Sequence, residues 1–422
     1  MLLIKNAHVL DPYTGLDKKS DILINDNGII ENIADNISCD CPVLDAMGRT
    51  ISTGFVDTHV HFRDPGQTQK EDIHTGMNAA AVGGYTTVVC MANTLPICDN
   101  LETLNYIKDK INEKKDSINV LQACAISTGF KGQEVTDFDA LLKAGAVGFT
   151  DDGIPLKSAE FVFKAMQMAV KHDTILSFHE EAPEFVPSAG VNYGSKAAEK
   201  FGVLGAMPVS EEVMIARDIA LALDTGAKVV FQHVSSARSA EFIRYGKKMG
   251  AKIYAEVTPH HISLTEDDVL EHGTLARMNP PLRKEQDRLA LIDALLDGTI
   301  DMIATDHAPH KSEEKNREFA KAPSGITGLE TAFSVCNTAL VQSGKMSKIK
   351  LLECMSKNPA EIYGLKNKEI KIGNKAELVL LDWNKEKIYT NYQSKSCNTP
   401  FTGKKLIGSV DAVIMGDKII SF

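Results

Sequence analysis

The densest chemistry in the sequence lies between Phe55 and Gly66, which read FVDTHVHFRDPG. His59 and His61 stand two residues apart, so on an extended strand both imidazoles point the same way. Arg63 follows on the same side, then Asp64 and the turn pair Pro65-Gly66. Two imidazoles on one face make half of a site for a borderline divalent cation such as Zn²⁺, and an arginine beside them makes an anion reader. From this stretch alone, a polar strand end would look the same.

Further residues of these types recur downstream: Asn93, the pair Asp151-Asp152, His179, His233, and Asp306 with His307. Each follows a short run rich in β-branched residues. These runs are TTVVCMANT (86–94), GAVGFTDDG (145–153), TILSFHEE (174–181), KVVFQHVSS (228–236) and DMIATDHAPH (301–310). INVLQACAIS (118–127) and KIYAEVTPHH (252–261) are runs of the same kind, so FVDTHVHF makes about eight strand candidates. The segments between them show helical periodicity, as in EEVMIARDIALALDTG (211–226) with its glycine stop. Strand and helix alternating over about 310 residues suit an α/β fold of the (β/α)8 TIM-barrel type, whose site gathers at the C-terminal ends of the strands. A doubly wound open sheet is the alternative, but it would carry a glycine-rich phosphate loop after its first strand, and HVHFRDPG is not one.

The ends of the chain differ from its middle. LLIKNAHVL, DILINDNGIIENI and CPVLDAMGRTIS read as strands, with Asn-Asp-Asn-Gly at 25–28 as a hairpin signal. EIKIGNKAELVLLDW and AVIMGDKIISF near the C-terminus read alike. The expected division is a small β-sandwich built from 1–52 and 366–422 around a barrel of 53–365. The 43% hydrophobic and 24% charged composition is that of an ordinary globular protein. A net charge of −10 argues against nucleic acid or anionic membrane as partner, so any anion binding must be local. Eight scattered cysteines without a CxxC pair read as reduced thiols, and no signal peptide or membrane span is visible, which together predict a cytoplasmic protein.

A lone histidine at a strand end is usually hydrogen-bonded structure. Four histidines and two aspartates at matching ends of five strands favour a metal centre. Two such ions close together lower the pKa of a shared water, and a carboxylate facing that water, for which Asp306 is the choice, can move its proton.

VDTHVHFRDPG, MANT, GFTDDG, SFHEE, FQHVSS, NPPLR, ATDHAPH and SGITGLE together resemble the dihydroorotases of the amidohydrolase superfamily, in their long-chain bacterial class. The resemblance covers nearly the whole chain. HxH marks only the superfamily; HFRDPG with NPPLR and TDHAPH is more specific. The resemblance implies zinc, one or two ions with two favoured, on His59, His61, Asp306, His179 and His233. It implies that Arg63, Asn93 and His310 hold the substrate carboxylate, with His61 also at the substrate, and that Asn279 and the backbone at Ser324 and Gly325 meet the pyrimidine ring. Relatives often carry an aromatic residue where Ser324 stands. Many relatives bridge their metals with a carboxylated lysine at the end of the fourth barrel strand; this chain has only Asp151 and Asp152 there. The class pattern picks Asp151, while strand alternation cannot choose between the two.

The implied reaction is reversible cyclisation of N-carbamoyl-L-aspartate to (S)-dihydroorotate and water, a step of pyrimidine synthesis. The rivals are another cyclic amidase, of hydantoinase or allantoinase type, and a non-catalytic partner of aspartate transcarbamoylase. A homodimer is the family expectation. His260 and His261 of TPHH read as packing beside the site, and His8, His74, His172 and His272 receive no role. Residues 308–328 read either as a lid or as a solvated charged loop.

Overall fold

The computed structural model describes residues 1–114 and 117–421. Five strands come first: β1 (Leu2–Asp11), β2 (Leu16–Ile24), β3 (Ile30–Ala34), β4 (Val43–Asp45) and β5 (Thr50–Thr53). Eight more alternate with helices: β6 (Phe55–Val60), β7 (Tyr85–Cys90), β8 (Asn119–Cys124), β9 (Ala146–Thr150), β10 (Ile175–Phe178), β11 (Lys228–Phe231), β12 (Ile253–Val257) and β13 (Met302–Ile303). The chain ends with β14 (Glu377–Ile388), β15 (Lys405–Met415) and β16 (Lys418–Ser421).

Strands β6 to β13 pair in chain order, and every pairing is parallel. The ring closes where Val60 bridges His307 and the His61 N–H donates to the His307 carbonyl at 2.9 Å. This is the barrel that the alternating pattern predicts. Its strands are covered on both faces, which is why YTTVVC and KVVF read as unbroken β-branched runs rather than alternating ones. The helix Val209–Thr225 stops at Gly226, whose φ of 73° places it in the left-handed region that ends helices.

The remaining strands form one mixed sheet in the order β16-β15-β14-β5-β1-β2-β3, with β4 on β1, so both termini contribute to it. Alternation on β14 divides its two faces. Leu378 and Leu380 join Ile4, Val9, Ile22 and Ile51 in a separate core. Val379, Leu381 and Trp383 turn instead into the barrel's core. Phe55 stacks on Phe333 there and Phe333 meets Trp383 edge to face, with centroids 5.7 and 5.1 Å apart. Truncating one such buried aromatic to alanine costs about 3–5 kcal/mol, so this seam fixes sheet to barrel.

Between β14 and β15 the chain leaves the sheet and crosses to the barrel mouth. There Ser394 donates to Glu71, and Asn398 bonds to residues 308, 310 and 325. One expectation fails in the N-terminal unit. Cys39 and Cys41 are joined as a disulfide, their Cα atoms 5.4 Å apart, while the other six cysteines are free. The turn carrying them brings both side chains within bridging reach. Among the described residues no helix is long and apolar enough to cross a membrane.

Candidate active site

The ends of β6, β9, β10, β11 and β13 converge on a cavity of about 230 Å³. His61, Arg63, Asn93, Asp152, His179, His233, Asn279, Asp306, His310, Ser324 and Gly325 line it. Only His59 and Asp151 of the expected residues are outside that lining. His59 lies one layer deeper, fully buried, with Nε2 3.3 Å from Asp152 and 3.5 Å from Asp306.

Asp151 is elsewhere. Its carboxylate accepts the backbone N–H groups of Ile126 and Ser127 at 2.7 and 3.0 Å and the Ser127 hydroxyl. Asp152 is the residue that faces the histidines. Its Oδ1 lies 3.3 Å from His59 Nε2, 3.7 Å from His179 Nδ1 and 3.8 Å from His233 Nε2. Its Oδ2 lies 3.4 Å from His61 Nε2. The structure thus brings Asp152 among the histidines and leaves the expected Asp151 outside the cavity. Beyond the last strand residue, Thr150, side chains no longer alternate, and the turn sends the first aspartate to the β8 loop and the second inward.

The geometry fits metal ions. Ligands at 2.0–2.1 Å in a tetrahedron lie about 3.3 Å from one another. Two overlapping ligand groups, His59–His61–Asp306 and His59–Asp152–His233, keep their donor atoms within 4.8 Å of one another, with the His59–Asp152, His59–Asp306 and His61–Asp306 pairs at 3.3, 3.5 and 3.0 Å. His179 Nδ1 and His233 Nε2 approach to 2.9 Å. Two ring nitrogens aimed at each other need a cation or proton between them. His59 Nε2 and Asp152 Oδ1, both buried, have no hydrogen-bond partner in the protein. Asp152 turns Oδ1 toward His59, His179 and His233 and Oδ2 toward His61.

Other residues aim the ligands. His59 donates its Nδ1–H to Glu256 at 2.5 Å, which leaves Nε2 bare toward the cavity. Glu256, on β12, also accepts from Thr58 Oγ1 at 3.0 Å and from the His233 backbone N–H at 3.3 Å. His61 donates its Nδ1–H to Asn93 at 2.8 Å, and the Asn93 amide reaches Asp152 at 3.3 Å. Asn93 thus orients ligands as well as lining the pocket. Glu181 lies 3.6 Å from His179 Nε2, on the side of that ring away from His233. Such partners fix ring orientation and are worth about 10–100-fold in metal affinity. The sequence reading missed Glu256 and Glu181; the signal available for Glu256 was a carboxylate inside an otherwise apolar strand, YAEV.

Backbone conformation marks the same places. Arg63, His233 and Asp306 have φ of 50°, 35° and 48°. Left-handed conformation is uncommon outside glycine, and such strain gathers at functional sites. It also re-aims Arg63, which lines the cavity with Nε buried and unpartnered. That guanidinium is available to an anion.

Burial pushes the Asp306 carboxyl up, but His59, His61 and His233 outweigh it and hold the group below its ordinary value. Asp152 is likewise held well below, burial being outweighed by His59 and His233. Both stand as carboxylates, the form that binds cations. Burial lowers the His310 imidazole to about 2, helped by Arg63 and Lys315. His310 Nε2 donates to the Ser324 carbonyl at 2.9 Å, and Ser324 Oγ donates to Asn279 at 3.2 Å. Gly325 has φ of 136°, and an added Cβ would lie 3.0 Å from His310 Nε2, so glycine is required there.

His261 is held by Thr258 and by the Pro280 carbonyl, at 2.8 and 3.1 Å. His260 is buried, and neither of the two belongs to a ligand group. His307 closes the barrel, accepting the Gly328 N–H at Nδ1.

A family model described as Dihydro-orotase-like matches residues 48–239. A protein named dihydroorotase from Clostridioides difficile is 50% identical over 421 residues, covering 100% of this chain and 99% of that protein. Another, from Clostridium acetobutylicum, is 49% identical over 425 residues at the same coverage. Among solved structures, an L-hydantoinase from Arthrobacter aurescens superposes with a TM-score of 0.86 at 23% identity, covering 100% of this chain and 96% of that one. A D-hydantoinase from Thermus sp. gives 0.83 at 23% identity, covering 99% and 95%. The hydantoinases share the fold, whereas the sequence similarity runs end to end with dihydroorotases, and the chain belongs to the dihydroorotase family.

Proposed function

We propose that the chain is a dihydroorotase, interconverting N-carbamoyl-L-aspartate and (S)-dihydroorotate in pyrimidine synthesis. The observation that carries this reading is the pairing of a histidine–aspartate ligand cluster with Arg63, whose buried Nε has no partner, at one cavity. A cyclic amidase needs only the first; a substrate with a free carboxylate calls for the second.

Zn²⁺, two ions per chain, would be held by His59, His61 and Asp306 and by His179 and His233, with Asp152 facing both sets. Bound there, the ions supply Lewis acidity toward the amide carbonyl and make water nucleophilic at neutral pH. The remaining work belongs to side chains. Arg63 binds the substrate carboxylate, and the His310, Ser324 and Asn279 wall bounds the ring. Asp306 takes the proton of the attacking water and returns it to the ring nitrogen as the C–N bond breaks. Cyclisation runs this in reverse and consumes one proton, because the reacting carboxylate is ionised, so lower pH favours the ring.

The test is dihydroorotate hydrolysis by purified protein, against hydantoin and allantoin, with metal analysis of the same sample. Turnover of dihydroorotate alone, with two zinc ions per chain, is expected. Preference for hydantoin or allantoin would refute the reading. The same reading carries a cytoplasmic homodimer and association with aspartate transcarbamoylase, which sedimentation and co-purification test.

A further inference from the structure

The wall of the cavity opposite the metal ligands is built from residues 308–328, which carry His310, Ser324 and Gly325. Its charged outer side includes the exposed Lys311 and Glu313. Its inner side is fastened by two side chains that do not themselves line the cavity.

The first is Lys315, 1% exposed. Its ammonium donates to the carbonyls of Pro323 at 2.9 Å, Gly325 at 3.0 Å and Arg277 at 3.4 Å. The second is Asn398, 3% exposed, on the segment that crosses from the C-terminal strands. Its Oδ1 accepts the His310 backbone N–H at 2.9 Å. Its Nδ2 donates to the carbonyls of Ala308 and Gly325, both at 3.1 Å. The Asn398 carbonyl in turn accepts the Thr327 N–H at 3.0 Å. The Gly325 carbonyl is therefore held from two sides, by a lysine of its own segment and by an asparagine 73 residues away.

Lysine is rarely fully buried, and placing its charge among carbonyls rather than against a carboxylate is costly. Burial lowers its pKa to about 7, with Arg277 adding to the fall and Glu314 opposing it. Such a group persists in a fold when its three directed bonds fix something that packing alone would leave loose. What they fix here is main chain: Pro323 and Gly325 flank Ser324, and Arg277 stands two residues before Asn279.

We propose that Lys315 and Asn398 are positioning residues for the substrate pocket, clamping the Gly325 carbonyl so that His310, Ser324 and Gly325 form a fixed wall against the substrate. The C-terminal segment is then part of the binding site, although it lies outside the barrel. This rests on the dihydroorotase reading above.

The test uses the full-length holoenzyme and two variants, Lys315→Met and Asn398→Asp. Methionine keeps the apolar bulk and removes all three donors. Aspartate keeps the acceptor for the His310 N–H and turns an oxygen, in place of the amide donor, toward two carbonyls. Steady-state hydrolysis of dihydroorotate should show KM raised about tenfold in each, about 1.4 kcal/mol of lost substrate binding, with kcat within about threefold of wild type. Metal content should match wild type. The double variant should raise KM by less than the product of the singles, because both act on one carbonyl. Unchanged KM with lower kcat, or loss of metal, would show a merely structural role and overturn the proposal, as would a multiplicative double variant. If Lys315→Met fails to fold, Asn398→Asp decides alone. A metal-loaded wild type inactive on dihydroorotate would instead refute the activity and this proposal with it.

Discussion

Exchanging either member of the Asp151-Asp152 pair for asparagine leaves volume and shape nearly unchanged, yet the structure predicts opposite consequences. Asp152 places its two oxygens 3.3–3.8 Å from four ring nitrogens that point into the cavity. Asp152→Asn removes the negative charge that faces all four imidazoles. At an effective dielectric constant near 20, two unit charges about 3.5 Å apart interact by about 5 kcal/mol, and breaking a buried charge pair costs about 3–5 kcal/mol. Metal affinity should fall by about 10²- to 10³-fold, and activity with it. Asp151→Asn disturbs only bonds to Ser127 and Ile126. It should cost about 1–3 kcal/mol of stability while zinc content and kcat stay near wild type. The assay is chelator competition for zinc on both variants, with dihydroorotate hydrolysis and thermal melting on the same preparations. Zinc loss in Asp151→Asn together with normal affinity in Asp152→Asn would refute the geometric reasoning outright.

Three further outcomes follow from the structure. Glu256→Gln replaces the acceptor of the His59 Nδ1–H, so zinc affinity should drop about 10–100-fold without a change in fold, as read by chelator titration and circular dichroism. Arg63→Ala removes a half-buried cation whose Nε has no partner; KM for dihydroorotate should rise about 10–100-fold, and a KM equal to wild type would show that the carboxylate binds elsewhere. Glu330 is pushed by burial up to about 7, against the backbone N–H groups of Ser394 and Gln393. Its folded pKa thus exceeds the unfolded value near 4.5, so between those two pH values the folded state holds a proton that the unfolded chain has released. Stability from this group is greatest below pH 4.5 and falls by up to about 3 kcal/mol as pH rises through 7. Glu330→Gln should flatten that fall, and identical urea midpoints for variant and wild type at both pH 5 and pH 8 would contradict it.

The sequence by itself determined the eight strands, their alternation with helices and the residues just beyond each strand, because period and stop signals are local. FVDTHVHF and KVVFQH carry their histidines at fixed offsets from apolar runs, and a barrel must bring those offsets to one mouth. The tertiary structure alone decided the orientation of side chains past the strand ends. Alternation stops with the strand, so Asp151 and Asp152 were indistinguishable until the turn placed one on Ser127 and the other among the imidazoles. Left-handed backbone at Arg63, His233 and Asp306 likewise re-aims residues whose direction no periodicity encodes. The supports of the site were also hidden. Glu256 meets His59 across 197 residues and Asn398 meets His310 across 88, and such contacts exist only once the barrel has closed and the C-terminal segment has crossed its mouth. Residue types announce which groups can bind a metal or an anion; a buried hydrogen bond between distant segments decides where those groups point.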